Sequence, residues 1–271
     1  MADLSTVPCS RDDTLRCVEA LAPGVDAVLT GDRPGARVQF PPSFQVSLVQ
    51  SAGVPAWAGM NCRDRNRVAL EGELAALAAV GVGGVHCVTG DHPAVGHRVD
   101  AQPVFDLDST ELAALARSAG LLVSVSETPL GPPTSARPSR LVEKAHAGAQ
   151  VCFVNHAGGA EPVERFVSEV SAVLGSDMSF IACVPLLLDR ESAELLAGFP
   201  GLALPPLYAE GVLGSRDPRR AGIDAAIRLA TELLEIPGVR GIDISSSPLA
   251  GRELPTATSI AEVGRALGAV G

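Results

Sequence analysis

Aromatic residues are scarce in this chain: seven Phe, one Trp and one Tyr in 271 residues, or 3%. Stacking platforms for nucleic-acid bases are therefore few. Excess positive charge is missing as well. The net charge of −10 disfavours nonspecific attachment to nucleic acid or to an anionic membrane. No apolar run reaches the roughly 18 residues that a membrane span needs. No basic start followed by an apolar stretch marks a secretory signal. The six cysteines, Cys9, Cys17, Cys62, Cys87, Cys152 and Cys183, form no C-x-x-C pair. Cys87, Cys152 and Cys183 lie inside apolar runs and read as small buried hydrophobes of a reducing compartment. Metal-ligand spacing such as H-E-x-x-H is missing. These absences point to a cytoplasmic protein acting on a small molecule, with no nucleic-acid, membrane or metal partner; they leave the oligomeric state open.

What is present is a full apolar complement, 46% of the chain, enough for a core without disulfides. Apolar runs that read as strands recur at Leu4 to Cys9, Val25 to Leu29, Pro55 to Met60, Val85 to Val88, Leu121 to Ser126, Val151 to Val154, Phe180 to Leu187 and Val239 to Ile244. Helical patterns alternate with them. Asp12 or Asp13 caps the first, Pro41-Pro42-Ser43 opens the second, and Ser109 caps the helix after the fourth strand. Asp189 caps a helix to Ala197, Arg219 to Glu235 has strong 3.6-residue spacing, and Ser259 to Leu267 closes the chain. Gly31 to Gly35, His92 to Leu107, Pro129 to Pro138 and Gly201 to Ser215 read as irregular. No composition break interrupts the alternation. The economical solution is one domain, residues 1–271, folded as an α/β (β/α)8 TIM barrel. An open doubly wound sheet is the competing solution. The lack of a G-x-G-x-x-G after the first strand weighs against it.

In such a barrel, chemistry sits beyond the carboxyl ends of the strands. The stretch from Met60 to Pro93 therefore organises the reading. Its two polar loops, Asn61 to Asn66 and Thr89 to His92, should border one pocket. Arg63, Arg65 and Arg67 are candidates for an anionic ligand. Glu127 stands at the exit of the fifth strand, Asn155-His156 at the sixth and Ser245-Ser246-Ser247 at the eighth. His92, His97 and His156 titrate in a useful range, although each also fits an ordinary loop position.

Asn61-Cys62-Arg63-Asp64-Arg65-Asn66, a helix, a buried strand and Thr89-Gly90-Asp91-His92-Pro93 resemble the methylenetetrahydrofolate reductases. Lys144-Ala145-His146-Ala147-Gly148-Ala149 resembles that family's Lys-x-x-Ala-Gly-Ala segment. Gly222-Ile223-Asp224 through Leu234 and Gly238-Val239-Arg240-Gly241-Ile242 resemble its last helix and strand. The resemblance implies a (β/α)8 barrel that reduces 5,10-methylenetetrahydrofolate to 5-methyltetrahydrofolate with hydride from NAD(P)H. FAD, the usual carrier, stays open in this aromatic-poor chain, since some small relatives work without flavin. The resemblance makes Asp91 a catalytic carboxylate at the pterin edge. It assigns Asn61 and Asn155 to folate binding, and Thr89, Gly90 and His92 to the cofactor loop.

One departure stands out. The family's first strand carries a glutamic acid that helps open the methylene bridge. Here Ser5 falls at that position, or Thr6 if the alignment slips, and both are counted with the substrate-binding residues. A hydroxyl does not replace general acid catalysis worth ~10²–10⁴-fold. Glu127 is the substitute by position, if a pocket raises its pKa; the competing reading is a surface glutamate in a proline-rich loop. The departure keeps a folate-dependent one-carbon (methylene) transferase and a noncatalytic folate-binding barrel as alternatives to the reductase.

Overall fold

The sixth strand illustrates how the ring is assembled. Val151–Val154 reads Val-Cys-Phe-Val and is buried throughout. One face of such a strand meets helices and the other meets the barrel interior, so both must be apolar. The computed structural model of the protein describes residues 1–32, 37–197, 202–248 and 250–268. Within them, β1 (Ala2–Asp3), β2 (Val28–Gly31), β3 (Ala56–Asn61), β4 (Gly84–Val88), β5 (Val123–Glu127), β6 (Val151–Val154), β7 (Ser179–Pro185) and β8 (Val239–Ser245) follow one another around a closed barrel. Every pairing is parallel, including β8 back to β1. The chain is a (β/α)8 barrel.

The helices are α1 (Arg11–Leu21), α2 (Pro42–Ser51), α3 (Arg67–Ala79), α4 (Ser109–Ser118), α5 (Arg137–His146), α6 (Ala160–Leu174), α7 (Arg190–Ala197), α8 (Tyr208–Leu213), α9 (Pro218–Leu234) and α10 (Glu253–Ala266). Side-chain caps fix several starts, by satisfying amides that have no partner within the helix. Asn66 accepts the Ala69 N–H at 3.1 Å before α3. Asp108, rather than the expected Ser109, caps α4, because it forms a reciprocal box with Glu111. Asp217 accepts the Arg220 N–H at 3.1 Å, with Pro218 opening α9.

The second strand is Val28–Gly31 rather than Val25 to Leu29 and the seventh is Ser179–Pro185 rather than Phe180 to Leu187, and three larger differences from the sequence reading have a physical cause. The first strand ends at Asp3 instead of running from Leu4 to Cys9. The ladder continues only to the Leu4 N–H, which donates to Leu29 O at 2.9 Å. Beyond it, Asp13 Oδ2 accepts the Val7 N–H at 2.7 Å. Cys9 takes φ 55°, and Ser10, not Asp12 or Asp13, caps α1. The chain is thus turned into the helix. Secondly, the stretch expected to be irregular from Gly201 to Ser215 contains α8; Gly201 itself lies outside the described residues, as do residues 33–35 of the loop expected at Gly31 to Gly35. Thirdly, α10 starts at Glu253 rather than Ser259, because Pro255 sits in its first turn, where proline is tolerated.

The seam between first and last units is narrow. Ala2 pairs with Ile244, the Met1 ammonium donates to Ile242 O at 2.7 Å, and the Ile244 N–H donates to Met1 O at 3.1 Å. Outside the seam, α10 crosses the end of α1 at a backbone-to-backbone contact. A Cβ added at Gly264 would overlap the Gly24 carbonyl oxygen, and one added at Gly24 would overlap that of Ala261. Gly264→Ala should therefore cost about 1–3 kcal/mol through overpacking. It should lower the thermal midpoint by several degrees. Gly72→Ala on α3, where an added Cβ meets nothing within 4 Å, should instead stabilise by about 0.4–1 kcal/mol. Calorimetry that finds Gly264→Ala as stable as Gly72→Ala would rule out the close crossing.

Candidate functional site

Alternation along each strand sorts the barrel interior into layers. Met1, Leu29, Trp57, Val151, Phe153, Ile181 and Cys183 pack together inside the ring. The Phe153 ring lies 5.9 Å from Trp57 and 4.6 Å from His86, both tilted or edge-on. Residues two or four further along the same strands share that inward face and lie nearer the carboxyl-terminal mouth. They include Asp3, Asn61 and Asn155. Asp243 joins them because it is the register partner of Cys183. An apolar floor thus carries a ring of carboxyl, amide and thiol groups.

On the β2–β4 side, charge is matched locally. Asp32 Oδ2 accepts the Asn61 N–H at 2.9 Å, and its two oxygens take a bidentate pair from Arg65 at 2.5 and 3.0 Å. Arg63, only 1% exposed, binds Asp64 through Nε and Nη2, each at 2.7 Å. Burial alone would raise the Asp64 carboxyl; the Arg63 and Asn61 hydrogen bonds, with the Arg63 and Arg65 charges, outweigh it and hold it below its ordinary value. Asn61 also accepts the Asp64 N–H at 3.2 Å. Arg63 and Arg65 are thus committed to carboxylates of this chain. Arg67 is half exposed, and its guanidinium lies 4.0 Å from Glu71.

Gly90 packs directly on this cluster. Its φ is +90°, and a Cβ there would stand 3.1 Å from Asn61 Cβ and 3.2 Å from Arg63 Cβ. Only glycine meets both demands comfortably. Asp91 follows it and is exposed at the mouth. Thr89 Oγ1 accepts the Ser109 N–H at 3.1 Å, tying the loop to α4. His92 accepts the Ala94 N–H at 3.1 Å through Nδ1 and lies 6.3 Å from the Phe105 ring.

On the β5–β6 side, Glu127 is a buried residue rather than a surface one, with its side chain 1% exposed. Lys144, the only lysine in the chain, donates to Glu127 Oε1 at 2.6 Å and to Ser126 O at 2.9 Å. Arg137 lies 3.5 Å from Oε2. The Asn155 N–H donates to Glu127 O at 2.9 Å, and its amide donates to Thr128 Oγ1 at 3.0 Å. Glu127 and Asn155 therefore adjoin, as do Asn61 and the Gly90–Asp91 turn. Ser5 stands across the mouth, donating to Ser246 O at 3.3 Å. Thr6 lies off the ring, in a small cleft with Cys9, Arg37 and Gln45.

The β6–β8 arc holds His156 and Ser245, which the sequence reading placed at strand exits, and Asp243, which it passed over. His156 Nδ1 is 3.1 Å from Cys183 O, and Nε2 is 2.9 Å from Ser245 Oγ. A carbonyl only accepts, so the proton sits on Nδ1 and the serine hydroxyl donates to Nε2. Burial pushes this imidazole down to about 4, against the opposing effect of its bond to Cys183. His86, deeper still, bonds Ser124 at 3.0 Å; burial and then the Lys144 charge push it down to about 3. Asp243 is 2% exposed. It is hydrogen-bonded to Asp3, and burial raises it to about 6 despite that bond and the nearby amino terminus. The available signal was Ile242-Asp243-Ile244, a charge inside an otherwise buried strand. Among the described residues, no group of His, Cys, Asp and Glu could hold a metal ion, and no helix is long and apolar enough to cross a membrane.

No family model matches the chain, and no curated protein matches it. Solved structures do. One is a Clostridium thermocellum protein that binds two copies of 5-methyl-5,6,7,8-tetrahydrofolic acid: TM-score 0.72 and 13% identity over 98% of this chain and 95% of that one. An EDTA monooxygenase from Chelativorans sp. BNC1 has TM-score 0.59 and 12% identity over 100% and 94% of the two chains. A 2,3-dimethylmalate lyase of the PEP mutase/isocitrate lyase superfamily has TM-score 0.53 and 13% identity over 99% of this chain and 76% of its own. What they share with this chain is the barrel. The first is a barrel that binds a reduced folate; the other two are enzymes.

Two predictions follow from the buried charges. Lys144→Met leaves Glu127 with Arg137 alone and should cost about 3 kcal/mol. Adding Glu127→Gln should recover part of that loss; urea unfolding of the single and double variants measures both. His86 and His156 titrate near 6.5 when unfolded and well below it when folded. The unfolded chain therefore binds more protons between about pH 4 and 6.5, so their contribution to stability falls as pH falls through that window. Asp243 acts in the opposite direction, from about pH 6 down to its unfolded value of 3.8. With two histidines against one carboxyl, stability should drop on acidification, and His156→Gln should flatten the slope. An unchanged slope would remove His156 from the account.

Proposed function

We propose that this barrel binds a reduced folate at its carboxyl-terminal mouth and reduces 5,10-methylenetetrahydrofolate to 5-methyltetrahydrofolate with NAD(P)H. What supports the reading is that Asn61, the Gly90–Asp91 turn and Asn155 all stand at carboxyl-terminal strand ends of one closed barrel, beyond the Trp57–Phe153 layer. A pterin has an apolar face and a hydrogen-bonding edge, and this arrangement complements both. The likeness of the motifs to methylenetetrahydrofolate reductases supports the reductase. The folate ligand of the Clostridium thermocellum barrel supports the substrate class.

In this reading Asp91 meets the pterin edge, Asn61 and Asn155 supply amide contacts, and Ser5 lies on the far rim, while Thr6 sits off the ring in its own cleft and takes no part. Thr89, Gly90 and His92 shape the loop nearest the cofactor. Glu127, ion-paired to Lys144 and Arg137, anchors the β5–β6 wall; its engaged oxygens suit it poorly to proton donation.

A second reading is a one-carbon transferase or a noncatalytic folate-binding barrel. The hydroxyl of Ser5, where an acid was expected, favours it, as does a 5-methyl folate as the neighbour's ligand. Calorimetric titration with 5-methyltetrahydrofolate, then NADH and NADPH oxidation with 5,10-methylenetetrahydrofolate, separates the possibilities. Binding with turnover supports the reductase. Binding without turnover moves the function to the second reading, and no binding ends both. Absorbance of the purified protein near the flavin bands decides whether FAD takes part. Asp91→Ala should weaken folate binding about tenfold or more, the loss of a charged hydrogen bond; unchanged affinity would take Asp91 out of the site.

A further inference from the structure

We infer that Asp3 and Asp243 form a proton-sharing carboxyl pair that serves as the general acid for the ligand bound in the mouth. The inference rests on the folate reading above. It concerns two residues that neither the motifs nor the neighbours single out.

The seam creates the pair. Ala2 pairs with Ile244, which sets Asp3 of β1 beside the end of β8. Asp243 faces inward with Cys183, its register partner on β7. The two carboxyl groups are hydrogen-bonded to each other. Ionised carboxylates only accept, so this bond requires one proton between the two groups. The remaining oxygen, Asp243 Oδ1, is buried and has no hydrogen-bond partner among the described residues. An unpartnered polar atom in an enclosed interior is unusual in proteins. Here it stands below the polar ring of the mouth, while Asp3 is partly open.

The charged and titratable groups facing Asp243 are few. Asp3 and the Met1 ammonium approach from β1, and the Cys183 thiol from β7. Burial disfavours a second charge on the pair, and the ammonium moderates that effect. This is the arrangement in which like carboxyl groups retain a proton toward neutral pH.

The step balances as follows. A carbon bridging two amine nitrogens breaks one C–N bond. The bonding electron pair stays on the departing nitrogen, which takes the proton from the pair. The other nitrogen and the carbon are left as an iminium, and hydride from NAD(P)H reduces it to a methyl group. The dianionic pair recovers its proton from water through the open side of Asp3.

The test uses the full-length protein with Asp243→Asn and Asp3→Asn. Infrared spectroscopy in the carboxylic acid region should detect a protonated carboxyl near neutral pH that shifts or disappears in Asp243→Asn. It should shift when 5-methyltetrahydrofolate is added. Asp243→Asn should lower kcat with 5,10-methylenetetrahydrofolate by ~10²–10⁴-fold, remove the limb of the pH–rate profile near pH 6, and leave folate affinity within about twofold of wild type, roughly 0.4 kcal/mol. Asp3→Asn should move the same limb, which guards against misfolding of the first variant. A wild type with no such infrared band overturns the inference whether or not the protein turns over. So does a band that ignores bound folate, or full kcat in both variants. A wild type that fails to bind folate overturns the proposed function instead, and the band alone then decides proton sharing.

Discussion

Closure of the ring at β1 and β8 is the constraint on which the site depends. β1 has only two residues, and its pairing with β8 is short. A parallel sheet left open there would expose strand edges and the whole interior face. The close backbone crossing of Gly24 and Gly264 holds α1 and α10 against each other outside the seam. Inside it, the same closure brings Asp3 to Asp243. Packing on the outer wall and chemistry on the inner wall are therefore two consequences of one register.

The mouth is organised by matched charge. A chain of net charge −10 needs its cations where carboxylates crowd together. Arg65 serves Asp32, Arg63 serves Asp64, and Lys144 and Arg137 serve Glu127. Pairs this buried are weak sources of net stability, since desolvation offsets much of the attraction, but losing one partner is costly. They fix the geometry of the β2–β3 and β5–β6 loops more than they add to stability. In the proposed reading, an incoming folate meets exposed Asp91 at this rim.

Much of the barrel could be read from the sequence because its strands are apolar on both faces and its helices carry strong punctuation. Val151–Val154 and Pro42–Ser51 fall where the pattern puts them. The first strand did not, because Asp13 and Ser10 act across the turn and override the extended pattern of Leu4 to Cys9. Strand exits were legible too, which put Asn61, Glu127 and Asn155 on the page. What those side chains bond to was not. Glu127 sits in a proline-rich context that looks exposed, and its partners lie 10 and 17 residues away on α5. Asp3 and Asp243 are some 240 residues apart, and only barrel closure makes them neighbours.

Two of the buried carboxyl environments contrast sharply. Glu127 faces two cations and balances them. Asp243 faces another carboxyl and an apolar interior, with one oxygen unpartnered among the described residues. Groups of the same type placed in opposite surroundings take opposite roles. A charged Glu127 keeps the β5–β6 wall in place, because releasing it would strand Lys144 in the core. The proton that we infer Asp3 and Asp243 to share has no such structural duty, since an isosteric amide would fill the same space without it. An unpartnered carboxyl oxygen that packing does not require is the observation that supports the chemistry we infer for the pair.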